Sequence, residues 1–272
     1  MNQTLLKRKS FDILKKNHKI FIEGHRGVNR EKPQNTKISF LKAIEYQIDS
    51  IELDIWLSKD KIPVVFHGGN EGELSEYFNS KGSIKNFDLD YLKQLESFEG
   101  KEKIPILEEI FQICKNKIFI NIEIKDDRID LLFPIVLNLI EKYEMFEQIQ
   151  ISSFHHNYYF KIKEFNDKNP NKKIEFGFLY HPIVERNVYK NEEFNFNYPG
   201  YQMNIYAFDL NENIVKKAKE NHMSVMAWFK MLDEENEEIY KKLFELNVDV
   251  ICSNEPKKLM EFRENYYKKN NK

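Results

Sequence analysis

Residues 50–67 read SIELDIWLSKDKIPVVFH, and the way this stretch is divided decides how the strands of the chain are counted. Ser50–Leu57 reads as a strand, and residues 63–67 read as a second extended piece. Residues 58–62 between them are too few for a crossover to a parallel neighbour, which needs about a dozen residues or more. The second piece therefore belongs to a connection and not to a parallel sheet. Working outward, further extended pieces fall at 20–23, 118–125 (IFINIEIK), 149–154, 174–179, 202–208, 224–229 and 248–252. Helical patterns lie between most of them. Residues 35–47 repeat Ile38, Leu41 and Ile44 at helical spacing. A helix ends at Lys142, and others read over 212–220, 235–246 and 256–267, the last opening on Pro256 where a missing N–H costs little.

Alternating strand and helix is the pattern of a parallel α/β barrel or of a doubly wound sheet. With 63–67 set aside, the remaining eight extended pieces fill the eight places of a barrel. The connection after the second strand then runs from Ser58 to about Pro105. Its polar, turn-rich part is expected to make a small excursion over one end of the barrel. Residues 268–272 are expected to fray.

Composition excludes several classes. The chain has 272 residues, 42 Lys plus Arg against 44 Asp plus Glu, and a formal net charge of −2. A dedicated nucleic-acid binder would carry a basic excess. An apolar fraction of 41% is too high for a disordered chain. Two cysteines, Cys114 and Cys252, rule out a disulfide-dense scaffold and read as buried thiols. No stretch approaches the roughly 20 apolar residues of a spanning helix, and the N-terminus lacks a signal-like apolar run. The expectation is a cytoplasmic protein with no membrane insertion; its oligomeric state is open.

Three carboxylates stand out by position. Glu52 and Asp54 are i and i+2 on one strand, so they share a face. Glu123 has the same relation to Lys125. Charges facing inward from barrel strands need compensation. A divalent cation between the carboxylates would supply it, leaving Lys125 for an anionic substrate; a plain ion-pair cluster is the competing reading. His25 and His67 each follow an extended piece directly, and functional groups of parallel barrels gather at the C-terminal strand ends. With Arg26 they form a set suited to phosphoryl transfer. Carboxylate ligation favours Mg²⁺ or Ca²⁺ over Zn²⁺. Arg26 and Lys125 could neutralise a phosphate diester, and two imidazoles could serve as general base and general acid. Trp228 and Phe154 read either as core or as walls of a substrate pocket. His181 and His222 read as solvent-facing.

These residues carry a family resemblance. His25-Arg26-Gly27, then Pro33-Gln34-Asn35-Thr36 and Phe40, resemble the HRG…PENT…F signature of glycerophosphodiester phosphodiesterases. Ile51-Glu52-Leu53-Asp54, Lys59-Asp60 and Pro63-Val64-Val65-Phe66-His67 match that family's E-x-D…KD…PV-x-H segment. Residues 104–109 (IPILEE), 121–125 (NIEIK), 152–154 (SSF) and 248–256 (VDVICSNEP) are similar to its later landmarks. The resemblance spans residues 20–262. It implies a TIM (β/α)8 barrel with a small insertion after the second strand, at about 68–105, in a single domain over 1–272. It implies a divalent metal on Glu52, Asp54 and Glu123, catalytic His25 and His67, phosphate contacts from Arg26 and Lys125, and hydrolysis of glycerophosphodiesters to glycerol 3-phosphate and an alcohol. Gln34 stands where the family usually has Glu, and Gly68 where it has Asp. The alternatives are a lysophospholipase D or sphingomyelinase D-like enzyme acting on lipids, for which Tyr77, Phe78 and Phe87 could form an apolar ridge, and a non-catalytic binding relative.

Overall fold

The structure, a computed structural model, describes residues 20–98, 102–185, 193–230 and 233–270. The N-terminal stretch read for a targeting signal lies outside these residues, as do 99–101 of the expected excursion. Eight parallel strands close into a barrel: β1 (Phe21–Gly24), β2 (Ser50–Leu57), β4 (Phe119–Ile124), β5 (Ile149–Ser153), β6 (Glu175–Tyr180), β7 (Gln202–Tyr206), β8 (Ser224–Trp228) and β9 (Val250–Ser253). Pairing of β1 with both β9 and β2 closes the ring. Strand β3 (Pro63–Val65) stands outside it, antiparallel to the end of β2, with Ile55 opposite Val65 and Leu57 opposite Pro63. The placing of residues 63–67 outside the barrel is borne out, and the structure adds that the piece folds back on β2 as a hairpin.

Helices α1 (Lys37–Glu45), α3 (Leu107–Cys114), α4 (Ile129–Lys142), α5 (Tyr158–Lys168), α6 (Glu212–Glu220), α7 (Glu237–Glu245) and α8 (Pro256–Asn270) surround the ring; α2 (Leu89–Leu92) belongs to the connection after β3. Side-chain caps begin three of them: Thr36 accepts from Ser39 N, Asn211 from Ile214 N and Asn236 from Ile239 N, each satisfying an otherwise orphaned donor. Helix α8 runs to Asn270, so residues 268–270 are helical rather than frayed; 271 and 272 lie outside the described residues. No helix of the described residues is long and apolar enough to cross a membrane.

Strand alternation sorts the residues. On β2 and β4, Ile51, Leu53, Ile55, Ile120, Ile122 and Ile124 join the large apolar layer between strands and helices. Their neighbours Glu52, Asp54, Asn121 and Glu123 take the opposite face. The barrel interior is thus polar toward its C-terminal mouth. A smaller apolar group, Phe21, Phe119, Met226, Val250 and Cys252, packs within the ring, with the Phe21 and Phe119 rings 5.8 Å apart. Both cysteines are free and buried.

The connection between β3 and α3 builds its own core from Trp56, Val64, Phe66, Leu74, Phe78, Ile84, Leu92 and Ile104. Glu109 on α3 ties it to the barrel wall. Its carboxylate takes Lys37 from α1 and Lys93 from the connection at 2.6 Å each, and accepts from Ile106 N at 2.9 Å. Partial burial works against that charge, but the hydrogen bonds from Lys37, Lys93 and Ile106 prevail and hold the carboxyl at about 2. A folded-state value below the unfolded one, about 4.3, means that this stabilisation is complete above pH ~4.3 and is lost as pH falls toward 2. Glu109→Gln should therefore destabilise the protein at pH 7 and much less at pH 2.5. Denaturant midpoints at the two pH values check this, and equal losses at both would refute the linkage.

Candidate active site

The barrel mouth is where the polar strand faces and the loops after β1 and β3 meet. In the β2–β4 register Asp54 lies opposite Glu123 and Glu52 opposite Asn121. Oxygens of Glu52, Asp54 and Glu123 lie within 4.8 Å of one another, and all three residues are buried. Lys125, one residue past β4, reaches back to Glu123 Oε1 at 3.2 Å and Asp54 Oδ1 at 3.7 Å. The shared face inferred for Glu123 and Lys125 is realised.

The loop after β1 supplies the opposite side. Arg26 adopts φ 55°, an uncommon backbone for a side-chain-bearing residue. Its N–H donates to Glu52 Oε2 at 2.9 Å, and its Nε stands 3.3 Å from Asp54 Oδ2. Asn35, also left-handed at φ 55°, donates to Asp54 Oδ2 at 2.8 Å and accepts from Asp54 N at 3.2 Å. His25 faces in from the end of β1. Its Nδ1 is 2.7 Å from Asn254 Oδ1, which also accepts from Asn29 Nδ2. An oxygen on that side makes Nδ1 the protonated nitrogen, and Nε2, 4.0 Å from Glu52 Oε2, keeps its lone pair toward the cleft.

His67 reaches the mouth through the β2–β3 hairpin. Phe66 N donates to Asp54 O at 3.0 Å, and Trp56 Nε1 donates to His67 O at 2.7 Å. Its Nδ1 is 3.2 Å from Glu76 Oε1 of the connection. Gly68 turns the chain at φ +60°, and a Cβ there would come within 2.4 Å of the Phe66 ring and 2.7 Å of the Gly72 backbone. A side chain at this position, such as the Asp of the family pattern, would require the loop to shift. Gln34 is likewise explained by its surroundings. Its carbonyl accepts from Arg26 Nη1 at 2.5 Å while its amide donates to the Tyr77 hydroxyl. Tyr77 is thereby left free to donate to Glu76 Oε1 at 3.0 Å. A carboxylate at position 34 would compete with Glu76 for that one proton.

Electrostatics follow from burial. Burial, reinforced by the Arg26 charge, holds the His25 imidazole down at about 3, and the same two causes hold His67 well below the ordinary imidazole range. Both are neutral near pH 7. Burial raises Glu52 well above the usual carboxylate range, with Asp54 and Glu123 adding to the effect. Burial also raises Glu123 despite Lys125. Asp54 goes the other way: against burial, Arg26, His67 and Lys125 hold it at about 2.

The donor set fits a hard divalent cation. Three carboxylates face two cationic side chains, and Glu52 Oε1 and Asp54 Oδ1 are buried without a hydrogen-bond partner. Buried carboxylate oxygens left without a hydrogen bond are costly, and a cation among them would remove the cost.

A cleft of about 860 Å³ opens over this cluster. It is lined by His25, Arg26, Glu52, His67, Glu123 and Lys125, and on its far side by Phe154, His181 and Trp228. Trp228 and Phe154 thus both reach the cleft, with their rings 6.0 Å apart. His181 is not solvent-facing: it stacks on Phe154 at 4.0 Å. His222 is exposed. Phe78 is buried in the connection's own core, with Tyr77 and Phe87 packed against it, so these three form no exposed ridge. Glu76 and Asn254 were not singled out by sequence reasoning. Asn254 lies in a quoted landmark, but nothing local marks Glu76.

The pattern of the glycerophosphoryl diester phosphodiesterase family matches residues 25–258. A glycerophosphodiester phosphodiesterase of Caldanaerobacter subterraneus subsp. tengcongensis is 28% identical over 254 residues, covering 89% of this chain and 97% of that one. Lysophospholipase D GDPD1 of Homo sapiens is 34% identical over 128 residues, 44% of this chain and 40% of that one. The crystal structure of a candidate glycerophosphodiester phosphodiesterase from Galdieria sulphuraria superposes with a TM-score of 0.74 at 31% identity, covering 90% of this chain and 98% of that one. With the family pattern running through nearly the whole barrel and both of its histidine motifs, the chain belongs to the glycerophosphoryl diester phosphodiesterase family.

Proposed function

We propose that the protein hydrolyses glycerophosphodiesters to glycerol 3-phosphate and an alcohol at the barrel mouth, with Mg²⁺ or Ca²⁺ as cofactor. The observation that carries this reading is the convergence of His25 and His67 on one buried cluster of Glu52, Asp54 and Glu123. Such a set has little structural use and suits diester cleavage. Glu52, Asp54 and Glu123 would hold the cation, which when bound supplies positive charge against a phosphate oxygen. Arg26 and Lys125 bring further positive charge to the diester, and their long side chains are held in place by Asp54, Gln34 and Glu123. One neutral imidazole accepts the proton of the attacking hydroxyl. The other takes up a proton from solvent through the open cleft and gives it to the departing alkoxide, and the first ring releases the proton it accepted to solvent, so that both end neutral as they began. Phe154 and Trp228 wall the side of the cleft where an organic arm of the diester can lie.

Phosphorus NMR over a panel of glycerophosphodiesters, with metal removed and added back, tests the whole reading. Glycerol 3-phosphate should accumulate only in the metal-supplemented sample. Turnover that persists in EDTA would remove the metal from it.

Glu76 is assigned a positioning role. By accepting from Nδ1 it fixes the His67 tautomer and points Nε2 into the cleft. Part of the contribution of a positioned acid or base is lost when its tautomer is not set, so Glu76→Ala should lower kcat about 10-fold with KM nearly unchanged. Glu76→Gln, which still offers an acceptor oxygen, should recover most of it. Equal losses in the two variants would mean that Glu76 acts through its charge instead.

A further inference from the structure

His25 is held twice by one dipeptide at the end of β9. Its N–H donates to Ser253 O at 2.9 Å, and its Nδ1 faces Asn254 Oδ1 at 2.7 Å. A carboxylate from another part of the chain grips that dipeptide in turn. Glu235, which precedes α7 and is 6% exposed, accepts three hydrogen bonds. Its Oε1 takes Asn254 N at 2.5 Å; its Oε2 takes Ser253 Oγ at 2.5 Å and Tyr240 Oη at 2.8 Å. These donors are two hydroxyls and one amide. A buried carboxylate without a cation beside it is costly even when hydrogen-bonded, and burial raises the Glu235 carboxyl against the pull of its donors. The helix does not require it, because Asn236 caps α7 by accepting from Ile239 N. What the Glu235 carboxylate orders is Ser253 and Asn254, the two residues that hold His25.

The Asn254 amide decides which nitrogen of His25 carries the proton. With Oδ1 toward the ring, where it also accepts from Asn29 Nδ2 at 2.7 Å, the proton stays on Nδ1 and Nε2 presents its lone pair to the cleft. With that oxygen turned away or withdrawn, Nδ1 loses its acceptor. The proton is then free to sit on Nε2, where the ring cannot accept another from the cleft. Asn254 is 1% exposed, so solvent has little access to take the place of Glu235. We propose that Glu235 is a positioning residue for the reaction: by clamping Ser253 and Asn254 it sets the tautomer and the aim of His25. This rests on the phosphodiesterase reading above and adds to it a residue that lies off the cleft wall. Glu234, its neighbour, serves other groups, accepting from Tyr206 Oη at 2.6 Å and from Lys230 N at 2.9 Å, and so provides a control.

The test uses the full chain and the glycerophosphodiester that the wild type turns over fastest. Glu235→Met keeps the bulk and removes the acceptor; kcat should fall about 10-fold with KM nearly unchanged. Glu235→Asp keeps the charge but draws it back from Asn254 N by one methylene. It should lose about as much, and it takes the place of the Met variant if that one does not fold. Glu235→Gln, whose carbonyl can still accept from Asn254 N, should recover most of the rate. Glu234→Gln should stay within about twofold of the wild type. Because Glu235 acts through Asn254, the double variant Glu235→Met/Asn254→Ala should be no slower than Asn254→Ala alone. Ring-nitrogen NMR on isotope-labelled histidine, with the His25 signals identified by their loss in His25→Ala, should place the proton on Nδ1 in the wild type and spread it over both nitrogens in Glu235→Met. Losses that multiply in the double variant, a loss confined to KM, an equal loss in Glu234→Gln, or an unchanged His25 tautomer in a folded but slowed variant would each overturn the proposal. A wild type that turns over no glycerophosphodiester would instead bring down the phosphodiesterase reading, and the ring-nitrogen spectra would still decide whether Glu235 positions His25.

Discussion

His25→Ala is expected to lower kcat on a glycerophosphodiester by about 10³-fold, within the range that a positioned general acid or base contributes. The imidazole stands at the end of β1 with Nδ1 committed to Asn254 and Nε2 aimed at the cleft beside Glu52. No other described group in the cleft can replace it as a proton carrier at that place, because His67 is held by Glu76 on the connection side. The substitution should leave the fold nearly intact. Asn254 Oδ1 keeps its bond from Asn29, and Arg26 keeps its contacts to Glu52 and Asp54. An initial-rate assay for glycerol 3-phosphate, beside a thermal melt of the same sample, separates catalysis from folding. A loss under tenfold in a folded variant would deny His25 a role in proton transfer.

Glu52→Gln is expected to separate stability from function. Glu52 is raised well above the usual carboxylate range, because burial and the neighbouring Asp54 and Glu123 all oppose its charge. An amide of the same shape carries no such penalty, so the metal-free variant should melt at or above the temperature of the metal-free wild type. The variant also lacks one of three anionic oxygen donors. Metal-supported turnover should fall by about 10²-fold or more, the scale of losing a charged group that stabilises the transition state. In the wild type, Mg²⁺ or Ca²⁺ at a hundredfold excess over Kd should add about 2.7 kcal/mol to stability. The variant should show little of that gain. A wild type whose melting temperature ignores both ions, with activity intact in EDTA, would exclude the carboxylate cluster as a metal site.

Much of the barrel was legible because its determinants are local. The distance between Leu57 and Pro63 along the chain excludes a crossover, whatever the rest of the molecule does. The i and i+2 relation of Glu52 to Asp54, and of Glu123 to Lys125, sets a shared face as soon as each segment is extended. The ends of elements were less legible. The strand reading at 202–208 continued through residues that turn into a 3₁₀ helix after Tyr206, and the last helix extends past Tyr267. Apolar composition does not distinguish a strand end from the turn that follows it, and helix ends depend on neighbours such as Glu264, which pairs with Lys268 one turn on.

The sequence by itself determined the strand order of the chemistry: which carboxylates share a face, which histidines and which basic residues stand at strand ends, and which family pattern they spell. Only the tertiary structure decided which groups complete the site. Glu76 meets His67 because the connection folds back on its own apolar core. Gln34 meets Tyr77 because the loop after β1 packs against that connection. His181 leaves solvent to stack on Phe154 because β5 and β6 are neighbours in the ring. Spacing along a chain governs which way a side chain points, whereas its partner depends on loop paths and on which strands become adjacent, and those are settled only when the barrel closes.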